Sequence, residues 1–128
     1  MKIGSVGTFE TKVTEKNTAA AVLSGTLDVF STPMMVAAME AAAVDAVKDF
    51  LDESQSSVGT KINIEHISAT PVGMNIKAKA VLMETDGRRL VFSVEASDDK
   101  GVIGKGEHER FIINSEKFML KTNAKIGG

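Results

Sequence analysis

Glu40 is the residue in this chain that structure alone explains least. Read as a helix, the run from Ser31 to Leu51, STPMMVAAMEAAAVDAVKDFL, turns about 100° per residue and gathers Met35, Val36, Met39, Ala43, Val47, Phe50 and Leu51 on one broad face. Asp45, Lys48, Asp49 and Asp52 fall opposite. Glu40 lies within the apolar set, between Val36, Val47 and Leu51, where an ionised carboxylate is expensive unless a neighbour hydrogen-bonds or pairs with it. A second reactive group comes from VGTKINIEHI. Strand alternation puts Val58, Thr60, Ile62, Ile64 and His66 on one face and Lys61, Asn63 and Glu65 on the other. An inward histidine alone is more often a satisfied core residue than a catalyst. Facing the same interior as a buried carboxylate, it becomes half of an acid–base pair, and Glu40 and His66 are expected to be neighbours. Thr32 has a structural reading of its own: it can cap the first turn, with Pro33 at the first helical position, where no N–H is needed.

Composition removes several other chemistries. The 128 residues contain no cysteine, so disulfides, thiolate metal sites and cysteine nucleophiles are absent, and two histidines leave few ways to build a metal centre. No metal and no cofactor are expected. A formal charge of −2 gives no electrostatic footprint for nucleic acid. The first residues, MKIGSVGTFETKV, lack the apolar run of a signal peptide, and the long helix carries charges too closely spaced for a membrane span. The expectation is a cytoplasmic protein with no membrane partner.

The length suits one domain, residues 1–128. Residues 7–14 alternate enough for a strand, 15–22 suit a short helical turn, and 23–30 look extended. After the helix, DESQSS reads as a polar loop. Beyond VGTKINIEHI, the turn at Thr70-Pro71 and Gly73 leads to MNIKAKAVLME, with Ile76, Ala78, Ala80 and Leu82 inward. Asp86-Gly87 marks a hairpin. Leu90, Phe92, Val94 and Ala96 then face inward, Asp98 to Gly101 turns the chain, and Val102 to Ile113 returns. Four consecutive strands are expected as an antiparallel meander. The tail has one amphipathic piece around Phe118 to Leu120 and then frays. A sheet apolar on one face needs a cover, and the Pro33 to Leu51 helix is the one long amphipathic element. The predicted class is therefore α+β: a curved antiparallel sheet wrapped around one long central helix, an arrangement that resembles the hot-dog fold.

The runs TPMMVAAMEAA, SVGTKINIEHISATPVGM, DGRRLVFSVEASD and IGKGEHERFII resemble the hot-dog thioesterases related to fluoroacetyl-CoA thioesterase, over roughly residues 18 to 120. The resemblance implies acyl-CoA as substrate and a threonine, a glutamate and a histidine acting together, which correspond to Thr32, Glu40 and His66. It further implies substrate contacts from Gly59 and Arg110, and a homodimer with the site at or near the subunit contact. In this reading Glu40 attacks the thioester carbonyl or activates a water, His66 handles the proton, and Thr32 orients Glu40 or shares its proton. N–H groups near Gly59 or the helix start stabilise the oxyanion. A covalent anhydride and a general-base route both remain open at the level of sequence. So do two other activities, a hot-dog hydratase or dehydratase and a noncatalytic acyl-CoA-binding protein. The fluoroacetyl-specific enzyme carries phenylalanines that gate its pocket, and these align with Leu23 and Thr26, so the gate is expected to be missing. His108, among Glu107, Glu109 and Arg110, reads as an exposed or paired strand residue. Gly104 and Gly106 read as easing strand curvature, and Met34, Met35 and Met39 as core or pocket lining.

Overall fold

A computed structural model of the chain describes residues 1–127. The elements run β1 (Val6–Lys12), α1 (Thr32–Val47), β2 (Gln55–His66), β3 (Asn75–Asp86), β4 (Arg89–Asp98), β5 (Gly101–Asn114) and α2 (Ser115–Gly127). All strands pair antiparallel in one sheet of order β1-β3-β4-β5-β2. Period-2 patterning does what it should at the centre of this sheet: Ile76, Ala78, Ala80 and Leu82 of β3 and Leu90, Phe92, Val94 and Ala96 of β4 are all buried. They form the floor on which α1 lies, with Met35, Met39 and Val47 fully covered, each contributing about 1.5–3 kcal/mol by burial. Among the described residues no helix is long and apolar enough to cross a membrane.

The expected meander holds only for β3, β4 and β5. β2 pairs with β5, not β3, and so occupies a sheet edge, while β1 takes the place beside β3. The helix follows this asymmetry. It packs chiefly on β1 and β3 and much less on β4 and β2, which leaves the β5–β2 side of the sheet poorly covered by its own chain.

Other boundaries also move. The helix regularity ends at Val47, and Lys48–Phe50 continues as one 3₁₀ turn in which Phe50 is 45% exposed rather than part of the inward face. Residues 15–22 form hydrogen-bonded turns without a helix, and 23–30 make isolated bridges, Thr18 to Phe30 and Val29 to Pro71, in place of a strand. The tail is helical throughout the described part of α2, although none of its side chains is buried.

β1 meets the helix at Gly7, where a Cβ would collide with the Ala42 carbonyl oxygen and the Ala46 backbone nitrogen. This is a close approach of backbone to backbone that neither element can relieve by turning a side chain. Gly7→Ala is expected to cost about 3 kcal/mol or more of folding stability, measured by urea unfolding. A variant within about 0.5 kcal/mol of the parent would contradict this seating of α1 on β1.

Candidate active site

The helix start is arranged differently from the expectation, with a chemical consequence. Ser31, not Thr32, is the N-cap, its Oγ accepting from the Met34 N–H at 3.2 Å. Relieved of capping, Thr32 Oγ1 lies 2.7 Å from His66 Nδ1. The partner nitrogen, His66 Nε2, is buried without a hydrogen-bond partner among the described residues, an orphan of the kind that native structures seldom leave without a function. Burial lowers the His66 pKa, the nearby Ser68 backbone opposing it, so the ring is held toward its neutral form. The hydroxyl and imidazole open onto a cavity of about 300 Å³ lined by Ala19, Ser24, Val29, Phe30 and Ala69, among others.

Glu40 belongs to a second cluster. Its side chain is 40% exposed, so it stands at the margin of the helix's buried face and not in the middle of it. Oε2 lies 3.3 Å from Arg110 Nη1, which donates to it. Arg110 is itself buried: its Nε donates to Ser57 Oγ at 2.9 Å and its Nη2 to the Ser57 carbonyl at 2.8 Å. Gly59 closes the cluster, since a Cβ there would stand 2.6 Å from Glu40 Oε2. The contacts found for the carboxylate all fall on Oε2, so among the described residues Oε1 is free to reach a substrate.

Strict alternation would put Gly59 and His66 on opposite faces of β2. The register against β5 shifts between Gly59 and Lys61, leaving Thr60 as a bulge, and one extra residue inverts the parity of a strand. Before the bulge Ser57 and Gly59 therefore face inward, opposite Ile112 and Arg110. After it the inward set is Ile62, Ile64 and His66, opposite His108, Gly106 and Gly104. Thr60, expected inward, is exposed. The run DESQSS is no simple loop either, because its last three residues, Gln55 to Ser57 with their neighbour Ser54 outside, begin β2, and Ser57 is a ligand of Arg110.

His108 is the paired strand residue of the two expected alternatives, not the exposed one: it is 2% exposed, stacked on Phe92 with ring centroids 6.2 Å apart. Its Nδ1 is 2.8 Å from the Lys61 carbonyl, and its Nε2 lies 3.2 Å from Arg110 Nη1 and 4.0 Å from Glu40 Oε2. Burial first, and the Arg110 charge as well, lower its pKa against the raising influence of Lys61 and Glu40.

The candidates thus fall into two groups, Thr32 with His66, and Glu40 with Gly59 and Arg110. No contact joins Glu40 to His66 or to Thr32. Positions 32 and 40 are two turns apart on α1, about 12 Å along its axis at 1.5 Å per residue, so Thr32 does not orient Glu40 within one chain. A larger groove of about 740 Å³ on the outer face of the sheet, over Glu65, Glu95, Lys105 and Glu107, contains none of these groups.

A five-stranded antiparallel sheet with one long helix packed on its face is the arrangement of hot-dog proteins, here with a threonine at the helix start and a glutamate two turns on. The chain belongs to the fluoroacetyl-CoA-specific thioesterase (FlK) family, whose pattern matches residues 13–116. It is 42% identical to the fluoroacetyl-CoA thioesterase of Streptantibioticus cattleyicolor over 98 residues, 77% of this chain and 70% of the relative. The crystal structure of the fluoroacetyl-CoA thioesterase FlK superposes with a TM-score of 0.92 at 35% identity, covering 98% of this chain and 97% of that one. A thioesterase-superfamily member from Thermus thermophilus matches with a TM-score of 0.90 at 28% identity, over 98% and 93% of the two chains.

Proposed function

We propose that this protein hydrolyses acyl-CoA thioesters to the free acid and CoA, as a homodimer in which each active site takes Thr32 and His66 from one subunit and Glu40, Gly59 and Arg110 from the other. The observation that carries the reading is the separation of the two groups in a chain of a thioesterase family, Thr32 with His66 and Glu40 with Gly59 and Arg110. β2 supplies a means of joining them. It is a free edge of 12 residues, and antiparallel pairing with its copy about a two-fold axis would join the two sheets along the strand that carries both Gly59 and His66. Gly59 and His66 are both inward on that strand, on either side of the bulge at Thr60.

In such a site the thioester carbonyl lies between the two groups. Glu40, steadied through Oε2, presents Oε1 either to the carbonyl carbon or to a water, while neutral His66 takes up and returns a proton through its link to Thr32. The leaving thiolate is a good leaving group, so no metal is required for its departure.

The direct test is release of free CoA thiol from a panel of acyl-CoAs. Hydrolysis of short acyl-CoAs supports the reading, and thiol release no faster than in buffer at micromolar enzyme would refute it. The same panel checks specificity. Leu23 is 90% exposed, in a left-handed backbone conformation (φ 63°) that costs about 1–2 kcal/mol for such a residue, and Thr26 is exposed as well. Neither lines the cavity beside Thr32 and His66. The expected kcat/KM for fluoroacetyl-CoA is within about tenfold of that for acetyl-CoA; a preference of several orders of magnitude would contradict it.

A further inference from the structure

We propose that His108 is a positioning residue: as an obligate hydrogen-bond acceptor for Arg110 it fixes the guanidinium that holds the Glu40 carboxylate. The argument is one of elimination. The Lys61 carbonyl can only accept, so Nδ1, 2.8 Å away, must carry the ring proton. Arginine can only donate, so Nε2, 3.2 Å from Arg110 Nη1, must be a bare lone pair. The two partners together admit one state, the neutral ring protonated at Nδ1.

That state leaves each nitrogen of a buried charge with a partner. Ser57 accepts from Nε–H and from one N–H of Nη2, and the two N–H groups of Nη1 are divided between His108 Nε2 and Glu40 Oε2. Glu40 is half open to solvent and cannot alone set the plane of the guanidinium. His108, 2% exposed and clamped between the Lys61 carbonyl and the Phe92 ring, can. Protonation at Nε2 would remove the acceptor, bring an imidazolium against the guanidinium, and offer Glu40 a rival donor 4.0 Å away. The charged groups facing the ring are Glu40 from α1 and Arg110 from β5. β4 presents Phe92, and β2 presents the Lys61 backbone, its side chain being exposed.

The tautomer is independent of what the protein catalyses, whereas the kinetic consequence rests on the proposed role of Glu40. Nitrogen-15 NMR of histidine-labelled wild-type protein, with the two residues assigned by a His66→Gln sample, should find His108 neutral and protonated at Nδ1 at pH 8 and titrating only below its ordinary value of 6.5. An Nε2–H tautomer, or titration at or above 6.5, would overturn the proposal. In turnover, His108→Phe keeps a ring on Phe92 but has no acceptor, and its kcat should fall about 10- to 100-fold with KM changed less than about threefold. His108→Gln, which retains an acceptor oxygen, should restore most of that loss. Wild-type kcat in a folded Phe variant, or equal impairment of folded Phe and Gln variants, would reduce His108 to packing. If the Phe variant does not fold, the tautomer decides.

Discussion

Glu40→Gln is expected to lower kcat/KM for acyl-CoA hydrolysis by about a thousandfold or more while leaving the fold intact. Glutamine has the same shape and can still accept from Arg110 through its amide oxygen, so the buried guanidinium keeps its partner. What disappears is the negative charge and basicity at Oε1, the atom free of protein contacts. The side chain is 40% exposed, so the change in folding stability should stay within about 1 kcal/mol. Thiol-release kinetics and a urea melt on the same sample separate the two effects. A folded variant that turns over at the parent rate would remove Glu40 from the mechanism.

His66→Gln is the second large effect, a loss of about 10²- to 10⁴-fold in kcat with a smaller change in KM. The wild-type pH profile provides an independent reading of the same group. Burial lowers the His66 pKa, so the neutral, proton-accepting form persists to lower pH than it would in solution. The acid limb of kcat/KM governed by His66 therefore falls below 6.5: activity is held at neutral pH and lost as pH drops through the depressed value. A profile already declining on going down from pH 8 to 7 would contradict a neutral His66 as the proton acceptor.

Much of this arrangement is legible in the residues, and the parts that are not have definite physical reasons. The alternation Ile76, Ala78, Ala80, Leu82 and its counterpart from Leu90 to Ala96 fix the central strands, because one face is wholly apolar. Pro33 marks the helix start, and Glu40 stands out as a carboxylate next to the apolar stripe. β2 resists such reading. Gln55 and Ser56 are polar and exposed in a strand that has no sheet beyond its edge, so they look like loop. The bulge at Thr60 then inverts the pattern, which is why Gly59 cannot be set beside Glu40 by counting. His108 hides because both faces of Lys105–Arg110 lack large apolar residues. The signal was the parity of Gly104, Gly106, His108, Arg110 and Ile112, opposed by the charged Lys105, Glu107 and Glu109. Thr32 and Ser31 can both cap by type, and the structure shows Ser31 taking that role and freeing Thr32 for His66.

The central claim, hydrolysis at a site shared between subunits, is tested most directly by mixing two inactive chains. Glu40 and Arg110 touch within one chain, so the informative pair is His66→Gln with Glu40→Gln. In a heterodimer one site carries both lesions and the other carries neither. Random reassembly of equal amounts gives half heterodimers with one intact site each, so about a quarter of the wild-type specific activity should return, once subunit exchange is verified by native mass spectrometry of mass-tagged chains. No recovery of thiol release after verified exchange would mean that each protomer holds a complete site of its own, and would contradict the account.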